Sequence, residues 1–204
     1  MIKGIKVRAV STFLIAIACA AAQTPWQPLF DGKSLKGWKT TPFAGGGTAK
    51  VEDGAIVIGP GKPLAGITYT GEFPKTNYEI RFEAMKREGG DFFASLTFPV
   101  GDSFCTFVTG GWGGDIVGLS SIDGWDASDN ETRSYFTFEP GRWYRFRVQV
   151  TDARIQAWID DRQIANVEIG GRKISLRYGE IKLSAPLGLA SYNTAGVVRK
   201  IEYH

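Results

Sequence analysis

Histidine and cysteine are almost absent from this chain. Its 204 residues contain one histidine, His204, and two cysteines, Cys19 and Cys105. Zinc sites take most of their ligands from these two residue types, so the sequence argues against a zinc protein. Ser-His-Asp and Cys-His nucleophile systems are excluded, because each needs a histidine base. If the chain is an enzyme, carboxylates must carry the proton transfers, with help from tyrosine, lysine or a bound metal.

Long apolar runs are also missing. The run 10–18 is too short to span a bilayer. Three basic residues precede it and small residues follow it up to Ala22, which is the pattern of a secretory signal peptide spanning 1–22. A lipoprotein signal cut before Cys19 is the alternative, although Ala16 stands where such signals usually carry leucine. We expect an exported protein, periplasmic or extracellular, with no membrane association unless Cys19 is lipidated.

An excess of charge of either sign is missing as well. The chain has 24 basic and 21 acidic residues, and three of the basic ones lie in 1–22. The expected domain, 23–204, is therefore close to neutral, which gives no support for nucleic-acid or anionic-membrane binding. Its single cysteine, Cys105, has no partner for an internal disulfide, so the domain must be stabilised by its own core.

What the sequence does contain is the pattern of β-strands. Three short runs within 142–169 alternate apolar with polar residues, and short turns separate them. This alternation predicts half-buried antiparallel strands, and the 26 glycines between short apolar runs favour an all-β, two-sheet sandwich or jelly roll. The residues predicted to be buried in this region are Tyr144, Phe146, Val148, Ile155 and Ile159. The other predicted strands are 49–52, 55–58, 64–70, 77–87, 91–98, 103–109, 180–184, 187–192 and 196–203.

The stretch 88–132 contains no lysine or arginine, yet it holds eight acidic residues and two tryptophans. Carboxylates bind sugar hydroxyls and aromatic rings stack on sugar C–H faces, so this composition predicts a carbohydrate-binding cleft. Carboxylates grouped without counter-cations are expected to have raised pKa values, which suits acid/base catalysis. The alternative is a solvated acidic loop with its rings in the core. The predicted catalytic residues are Asp115, Asp126 and Glu131, and the predicted ligand-binding residues are Trp112, Trp125, Trp158, Asn130 and Tyr192.

Two residues leave alternatives open. Trp158 stands on the polar face of its predicted strand, where its ring either covers an arginine stem or forms a stacking platform at the floor of the cleft. Arg133 is the nearest cation in sequence to the acidic stretch. It could therefore compensate the carboxylates and return their pKa values to the ordinary range.

Calcium is an alternative role for the same loop. Asp123, Asp126, Asp129 and Glu131 supply the hard oxygen ligands that calcium prefers. Their spacing does not match an EF-hand, so the motif alone does not predict a site. No other cofactor is expected.

Six motifs in this chain resemble one known family. The longest, LFDGKSLKGW at 29–38, is followed by VEDG at 51–54, YEIRF at 78–82, WYR at 143–145, WIDD at 158–161 and PLGL at 186–189. Together they resemble the DUF1080 family, known as the 3-keto-disaccharide hydrolase domain and also described as 3-keto-glucoside lyase/hydratase. The resemblance extends from residue 26 to residue 204.

This resemblance implies a concanavalin A-like jelly roll with a carbohydrate or keto-sugar ligand in its concave face. It also implies a reaction, in which a base removes the C2 proton of a 3-keto-glycoside, the C1 substituent is eliminated and the product is hydrated. The chain departs from the family where Ala157 replaces a frequent histidine and where Ala190, Ser191 and Tyr192 replace Gln-Asp-His. Two functions therefore stay open: an exported enzyme that cleaves 3-keto-glycosides, and a non-catalytic carbohydrate-binding module of the same fold.

Overall fold

The computed structural model describes residue 1 and residues 25–204, so the predicted signal peptide beyond its first residue, including Cys19, lies outside the described residues. Among the described residues, no helix is long and apolar enough to cross a membrane. The strands are β1 Gln27–Pro28, β2 Trp38–Thr40, β3 Ala49–Glu52, β4 Ala55–Ile58, β5 Leu64–Tyr69, β6 Tyr78–Glu88, β7 Ser95–Val100, β8 Ser103–Gly111, β9 Ile116–Ser120, β10 Ser134–Tyr135, β11 Trp143–Val150, β12 Arg154–Ile159, β13 Arg162–Glu168, β14 Gly188–Tyr192 and β15 Ala195–Tyr203. A short 3-10 helix spans Glu180–Ser184.

The strands form two sheets whose neighbours all pair antiparallel. The first sheet has the order β13-β12-β11-β6-β15-β4-β3, and β1 pairs with β15. The second sheet has the order β10-β9-β8-β7-β14-β5-β2. This architecture confirms the predicted all-β, two-sheet jelly-roll sandwich.

The alternation in the meander β11-β12-β13 points one side chain in two toward the second sheet. The five residues predicted to be buried are at most 1% exposed: Tyr144, Phe146, Val148, Ile155 and Ile159. Phe146 lies at the centre of the core, where its ring stacks on Phe82 with centroids 5.1 Å apart. It also meets the edge of Phe107 from β8, so the ring joins the two sheets.

The second sheet has two different faces. Leu96, Phe107 and Leu119 lie in the core, together with Cys105, whose thiol donates a hydrogen bond to the Ser120 carbonyl at 3.5 Å. The side chains between them point away from the first sheet and are small and polar. They are nevertheless buried, so another part of the chain must cover them: Ser95, Thr97, Thr106 and Ser120.

Residues 170–184 form the covering segment, which we call the strap. Near its start, the backbones of Ser175 and Ser121 exchange two hydrogen bonds of 2.6 and 3.1 Å beside the end of β9. Near its end, the Thr68 hydroxyl of β5 donates to the Leu183 carbonyl at 3.3 Å. Because β9 and β5 lie near opposite edges of the second sheet, the strap crosses its outward face.

The strap contains the one predicted strand that is wrong. Residues 180–184 alternate in apolarity and were predicted to be a strand, but they form the 3-10 helix. The reason is that Ile181 and Leu183 pack on a small separate cluster of Phe43, Leu64 and Ala190 on the outward face of the second sheet. No strand pairs with them there, so alternation alone does not produce a ladder.

Arg172 clamps the start of the strap to the loop after β9. Its guanidinium donates hydrogen bonds to the carboxylates of Asp123 and Glu131, the latter at 2.7 Å. The amide of Lys173 donates to Asp123 Oδ1 at 2.7 Å. The Lys173 amide, followed by Arg172, lowers the pKa of Asp123. The main-chain amide of Glu131, followed by Arg172, lowers the pKa of Glu131.

Replacing the central aromatic ring should destabilise the whole sandwich. We expect Phe146→Ala to lower the free energy of unfolding by about 3–5 kcal/mol, because the cavity left behind opens between both sheets. Urea denaturation measures the change, and the matched control is Tyr135→Ala, whose side chain is 58% exposed. An equal and small loss in both variants would contradict the position of Phe146 in the core.

Removing the clamp should destabilise the protein in a pH-dependent way. The folded pKa values of Asp123 and Glu131 lie below their unfolded values of about 4. The contribution of the clamp is therefore present above that pH and is lost as the pH falls through the folded values. We expect Arg172→Met to lower the Tm at pH 7, and the difference from the parent to shrink between about pH 5 and pH 3.

Thermal unfolding followed by circular dichroism measures this difference across the pH range. The control is Arg133→Met, since the Arg133 guanidinium donates to the Ser128 carbonyl rather than to a carboxylate. A Tm difference for Arg172→Met that stays constant from pH 7 to pH 3 would show that the clamp is not electrostatic.

Candidate functional site

A cavity of about 350 Å³ lies between the outward face of the second sheet and the strap. Its floor is formed by Ser95 of β7, Thr106 and Val108 of β8, and Ser120 of β9. The same alternation that places large apolar residues in the core leaves these smaller side chains on the other face. The cavity is therefore a consequence of strand patterning together with the strap that covers it.

Two floor hydroxyls are held by the backbone. Ser95 Oγ accepts a hydrogen bond from the Thr109 amide at 3.1 Å, and Ser120 Oγ accepts one from the Ala127 amide at 2.8 Å. These bonds fix the positions of the oxygens. Each hydroxyl keeps its own proton to donate to a ligand or a neighbouring side chain.

Arg177 brings a positive charge to the roof of the cavity. Its Nη1 contacts the carboxylate of Asp126, and its guanidinium carbon lies 5.7 Å from the centre of the Trp112 ring. Asp126 is held from the other side by Ser121 Oγ, which donates to Oδ1 at 2.9 Å. Asp126 therefore orients Arg177 from the edge of the cavity.

The cavity is also lined by two carboxylates that the sequence analysis did not single out. Asp91 precedes β7, and its two oxygens accept hydrogen bonds from the Phe92 amide at 2.8 Å and from the Gly113 amide at 3.2 Å. Glu180 opens the 3-10 helix, and its Oε1 accepts a hydrogen bond from the Ala44 amide at 3.1 Å. Asp91 belongs to the acidic stretch 88–132, which is the only sequence signal that pointed toward it.

Trp112, one of the predicted ligand-binding residues, lines the cavity. It lies in the hairpin between β8 and β9 with φ 50°, and it is 40% exposed. The close approach of the hairpin strands needs glycine, since a Cβ on Gly110 would lie 2.7 Å from the Gly114 carbonyl oxygen. The hairpin thus holds the ring clear of its own backbone and beside Arg177.

Tyr192 lines the opposite end of the cavity. It is the last residue of β14, its side chain is 37% exposed, and its ring lies 5.7 Å from that of Phe92. Two of the predicted ligand-binding residues, Trp112 and Tyr192, therefore share the cavity, and the predicted catalytic residue Asp126 contacts it through Arg177.

Asp115 and Trp125 lie outside the lining. The Asp115 carbonyl accepts the Phe136 amide at 2.8 Å, and its side chain is exposed in the β8–β9 hairpin. Trp125 closes a turn by exchanging backbone hydrogen bonds with Ile122, and its side chain is 63% exposed. Neither side chain faces the space under the strap.

Asn130 and Glu131 have structural partners. The Asn130 amide donates to the carbonyls of Leu119 and Trp125 at 2.7 and 3.0 Å, which fastens the loop 121–131 to β9. Glu131 is bound in the Arg172 clamp. Both residues support the cavity from behind and do not line it.

Trp158 lies on the other sheet. The Arg147 guanidinium carbon sits 3.7 Å from the centre of its ring, on the outward face of the first sheet, and Arg147 also pairs with Glu79 at 3.2 Å. The ring thus covers an arginine, which was the first of the two alternatives. The expectation that Trp158 forms the floor of the cleft is wrong, because β12 belongs to the sheet that packs on the opposite side of the core.

The expected absence of counter-cations is also wrong. Arg172 and Arg177 lie 41 and 51 residues after the carboxylates that they bind, Glu131 and Asp126. The strap places both arginines beside the acidic loop. Arg172 is one of the causes that lower the pKa of Glu131, so the predicted upward shift does not occur there.

The described residues contain no cluster of side chains that would coordinate calcium. Within residue 1 and residues 25–204, no group of three or more His, Cys, Asp and Glu side chains is arranged to hold a metal ion. Asp123 and Glu131, which were two of the candidate ligands, face the guanidinium of Arg172 instead.

Solved structures with the same fold include glycosyl hydrolase proteins and a carbohydrate-binding module. Domain 4 of AbnA, a GH43 extracellular arabinanase from Geobacillus stearothermophilus, is 14% identical in sequence to this chain. The match covers 87% of this chain and 89% of the arabinanase domain, with a TM-score of 0.56. The carbohydrate-binding module CBM66 from Bacillus subtilis is 12% identical, with coverages of 81% and 93% and a TM-score of 0.54. A glycosyl hydrolase family 16 protein from Mycobacterium smegmatis is 9% identical, with coverages of 88% and 98% and a TM-score of 0.56.

These identities are low, so the likeness shows the fold alone. No curated protein matched the sequence significantly. A family profile did match, over residues 25–202, which is nearly the whole described chain. The chain therefore belongs to the family of 3-keto-alpha-glucoside-1,2-lyase-like domains.

Proposed function

We propose that this protein is an exported enzyme that cleaves 3-keto-glycosides in the cavity under the strap. The observation that carries the proposal is the composition of that cavity, which surrounds one space with the guanidinium of Arg177, the carboxylates of Asp91 and Glu180, and the ring of Trp112. Family membership supports the reaction class. Export rests on the signal-peptide pattern of 1–22.

The reaction is an elimination followed by a hydration. A ketone at C3 acidifies the C2–H bond, so a base can remove that proton and form an enolate. The enolate electrons then expel the C1 substituent, whose oxygen takes up a proton, and a 2-hydroxy-3-keto-glucal remains. Addition of hydroxide at C1 and a proton at C2 gives 3-keto-glucose, so the net reaction is hydrolysis.

The cavity offers a group for each step. Arg177 can hydrogen-bond the C3 oxygen and stabilise the negative charge that develops there, as fixed cationic donors do in other enolate-forming sites. Asp91 is held by two amides at the cavity wall and is the candidate base for the C2 proton. Glu180, on the roof, is the candidate donor of a proton to the leaving oxygen.

The shape of the cavity suits a sugar. A volume of about 350 Å³ lies within the range of small-molecule sites. Trp112 presents an exposed ring for the C–H face of a pyranose, while Ser120 and Thr106 supply hydroxyls from the floor. The site is a groove in which two carboxylates converge with an arginine, and this favours catalysis over the flat aromatic strip expected of a module that binds the surface of a polysaccharide.

A non-catalytic carbohydrate-binding module is the second candidate. It is favoured by the hydrogen bonds that Asp91 and Glu180 already make to backbone amides, which give both carboxylates a structural role. In that case the same cavity binds a sugar through Trp112 and Arg177, and no bond is cleaved.

Asp91→Asn should distinguish the two candidates. If Asp91 is the base, turnover should fall by about 10²–10⁴-fold, because an amide cannot accept the C2 proton. Product analysis after incubation with 3-keto-trehalose and 3-keto-sucrose, beside the unoxidised disaccharides, measures the change. Asp161→Asn is the matched control, since that carboxylate pairs with Arg145 on the first sheet and should leave turnover unchanged.

Two further variants test the site predicted from the sequence. If Asp115→Asn or Glu131→Gln abolishes turnover while Asp91→Asn leaves it intact, the base lies in the acidic loop and the assignment to the cavity is wrong. If the parent binds these keto-sugars without cleaving them, the module is the correct function.

Trp112→Ala should weaken sugar binding in either case. Loss of one stacking ring is expected to raise the Kd by roughly two- to tenfold, since such contacts contribute about 0.5–1.5 kcal/mol. Isothermal titration calorimetry measures the Kd. Trp125→Ala and Trp158→Ala are the controls, because both rings lie outside the cavity lining. Equal weakening in all three variants would contradict the location of the site.

A further inference from the structure

The two ends of the cavity differ in chemistry. At the end formed by β8 and β9, Arg177, Trp112 and Ser120 provide charge, an exposed ring and a hydroxyl. At the end formed by β5 and β14, Leu64 and Tyr192 line the cavity as register partners on adjacent strands. The cavity therefore has a polar end and an apolar end on one continuous floor.

The apolar end is a packed group of side chains. The ring centroids of Phe92 and Tyr192 are 5.7 Å apart, and Ile181 of the strap lines the same end of the cavity. Phe92 and Ile181 both pack against a cluster that includes Leu64 and sits behind the cavity. An apolar group that enters this end is therefore surrounded by side chains from two strands, a loop and the strap.

The cavity is long enough for more than one ring. Its lining comes from β9, β8, β7, β14 and β5, which are consecutive neighbours in the second sheet. Five adjacent strands at about 4.8 Å spacing span about 19 Å. A keto-sugar bound beside Arg177 with C1 directed along the floor would place its C1 substituent at the other end.

A second sugar is poorly suited to the apolar end. A pyranose would bring several hydroxyls against Leu64, Phe92 and Ile181, where Tyr192 and Glu180 offer partners for only some of them and the others would lose water uncompensated. An aromatic ring there would instead bury apolar surface, and it would meet Phe92 and Tyr192 at distances typical of aromatic pairs.

We propose that the β5–β14 end is an aglycone subsite that selects glucosides of aromatic alcohols over disaccharides. This inference rests on the proposed cleavage of 3-keto-glycosides. It assigns the keto-sugar to the Arg177 end and the aromatic leaving group to the end lined by Phe92, Ile181 and Tyr192. Glu180 precedes Ile181 on the strap and lines the cavity, with its Oε1 bound to the Ala44 amide, so its carboxyl is the candidate proton donor on the aglycone side.

The experiment measures binding and turnover with pairs of glucosides of the same anomer. Phenyl α-glucoside is compared with trehalose, and phenyl β-glucoside with cellobiose, each as the parent compound and as its 3-keto form. We expect the phenyl compound of the preferred anomer to bind at least about tenfold more tightly than its disaccharide partner.

Two variants locate the preference. Ile181→Asn places a polar group in the subsite and should remove the preference, with Ile181→Thr as the smaller change if the first variant does not fold. Leu183→Asn is the matched control. Leu183 lies two residues along the same helix and packs on the same cluster without lining the cavity, so the preference should remain.

The outcomes separate the two proposals. If the disaccharides bind as tightly as the phenyl compounds, or if Ile181→Asn leaves the preference intact, the aglycone subsite is wrong. If 3-keto-trehalose and the 3-keto phenyl glucosides are cleaved at equal rates, the proposed function stands and the subsite does not. If no keto-glycoside is cleaved while the phenyl preference still depends on Ile181, the subsite stands and the proposed function does not.

Discussion

The pairing of Arg172 with Asp123 and Glu131 is the constraint on which the cavity depends. It holds the start of the strap against the loop after β9, so that Arg177 and Ile181 lie over the second sheet. Without the strap, the small polar residues between the core positions of β7, β8 and β9 would form an ordinary solvated sheet face. A clamp between three charged side chains, together with the backbone bonds between Ser175 and Ser121, thus converts an exposed sheet face into the floor of a cavity.

The two sheets divide stability and chemistry between them. The first sheet supplies half of the core and covers its outward face with arginines laid over tryptophans, as Arg147 does on Trp158. The second sheet supplies the other half of the core, and its outward face forms the floor of the cavity. Because alternate residues of one strand point to opposite faces, Phe107 packs in the core while its neighbour Thr106 lines the cavity.

The sequence predicted the sandwich well and the site only in part. Alternation is a local signal, and it correctly identified Phe146 and its neighbours as core. Trp112 was found because it lies in the acidic stretch 88–132, which contains no lysine or arginine. Tyr192 lies where the chain departs from the family's Gln-Asp-His. Arg177 and Glu180 were missed because their partners, Asp126 and the Ala44 amide, lie 51 and 136 residues away, and no local pattern encodes such contacts. Composition within 88–132 therefore suggested isolated carboxylates where the fold provides ion pairs.

The burial of Cys105 has a consequence for the redox chemistry of the chain. Desolvation in the core raises the pKa of its thiol to about 12, so almost no thiolate exists near neutral pH. Thiolate is the species that attacks disulfides and peroxides. The single sulfhydryl of the described domain is therefore inert toward mixed-disulfide formation and oxidation as long as the sandwich is folded, and its modification by a thiol reagent reports unfolding.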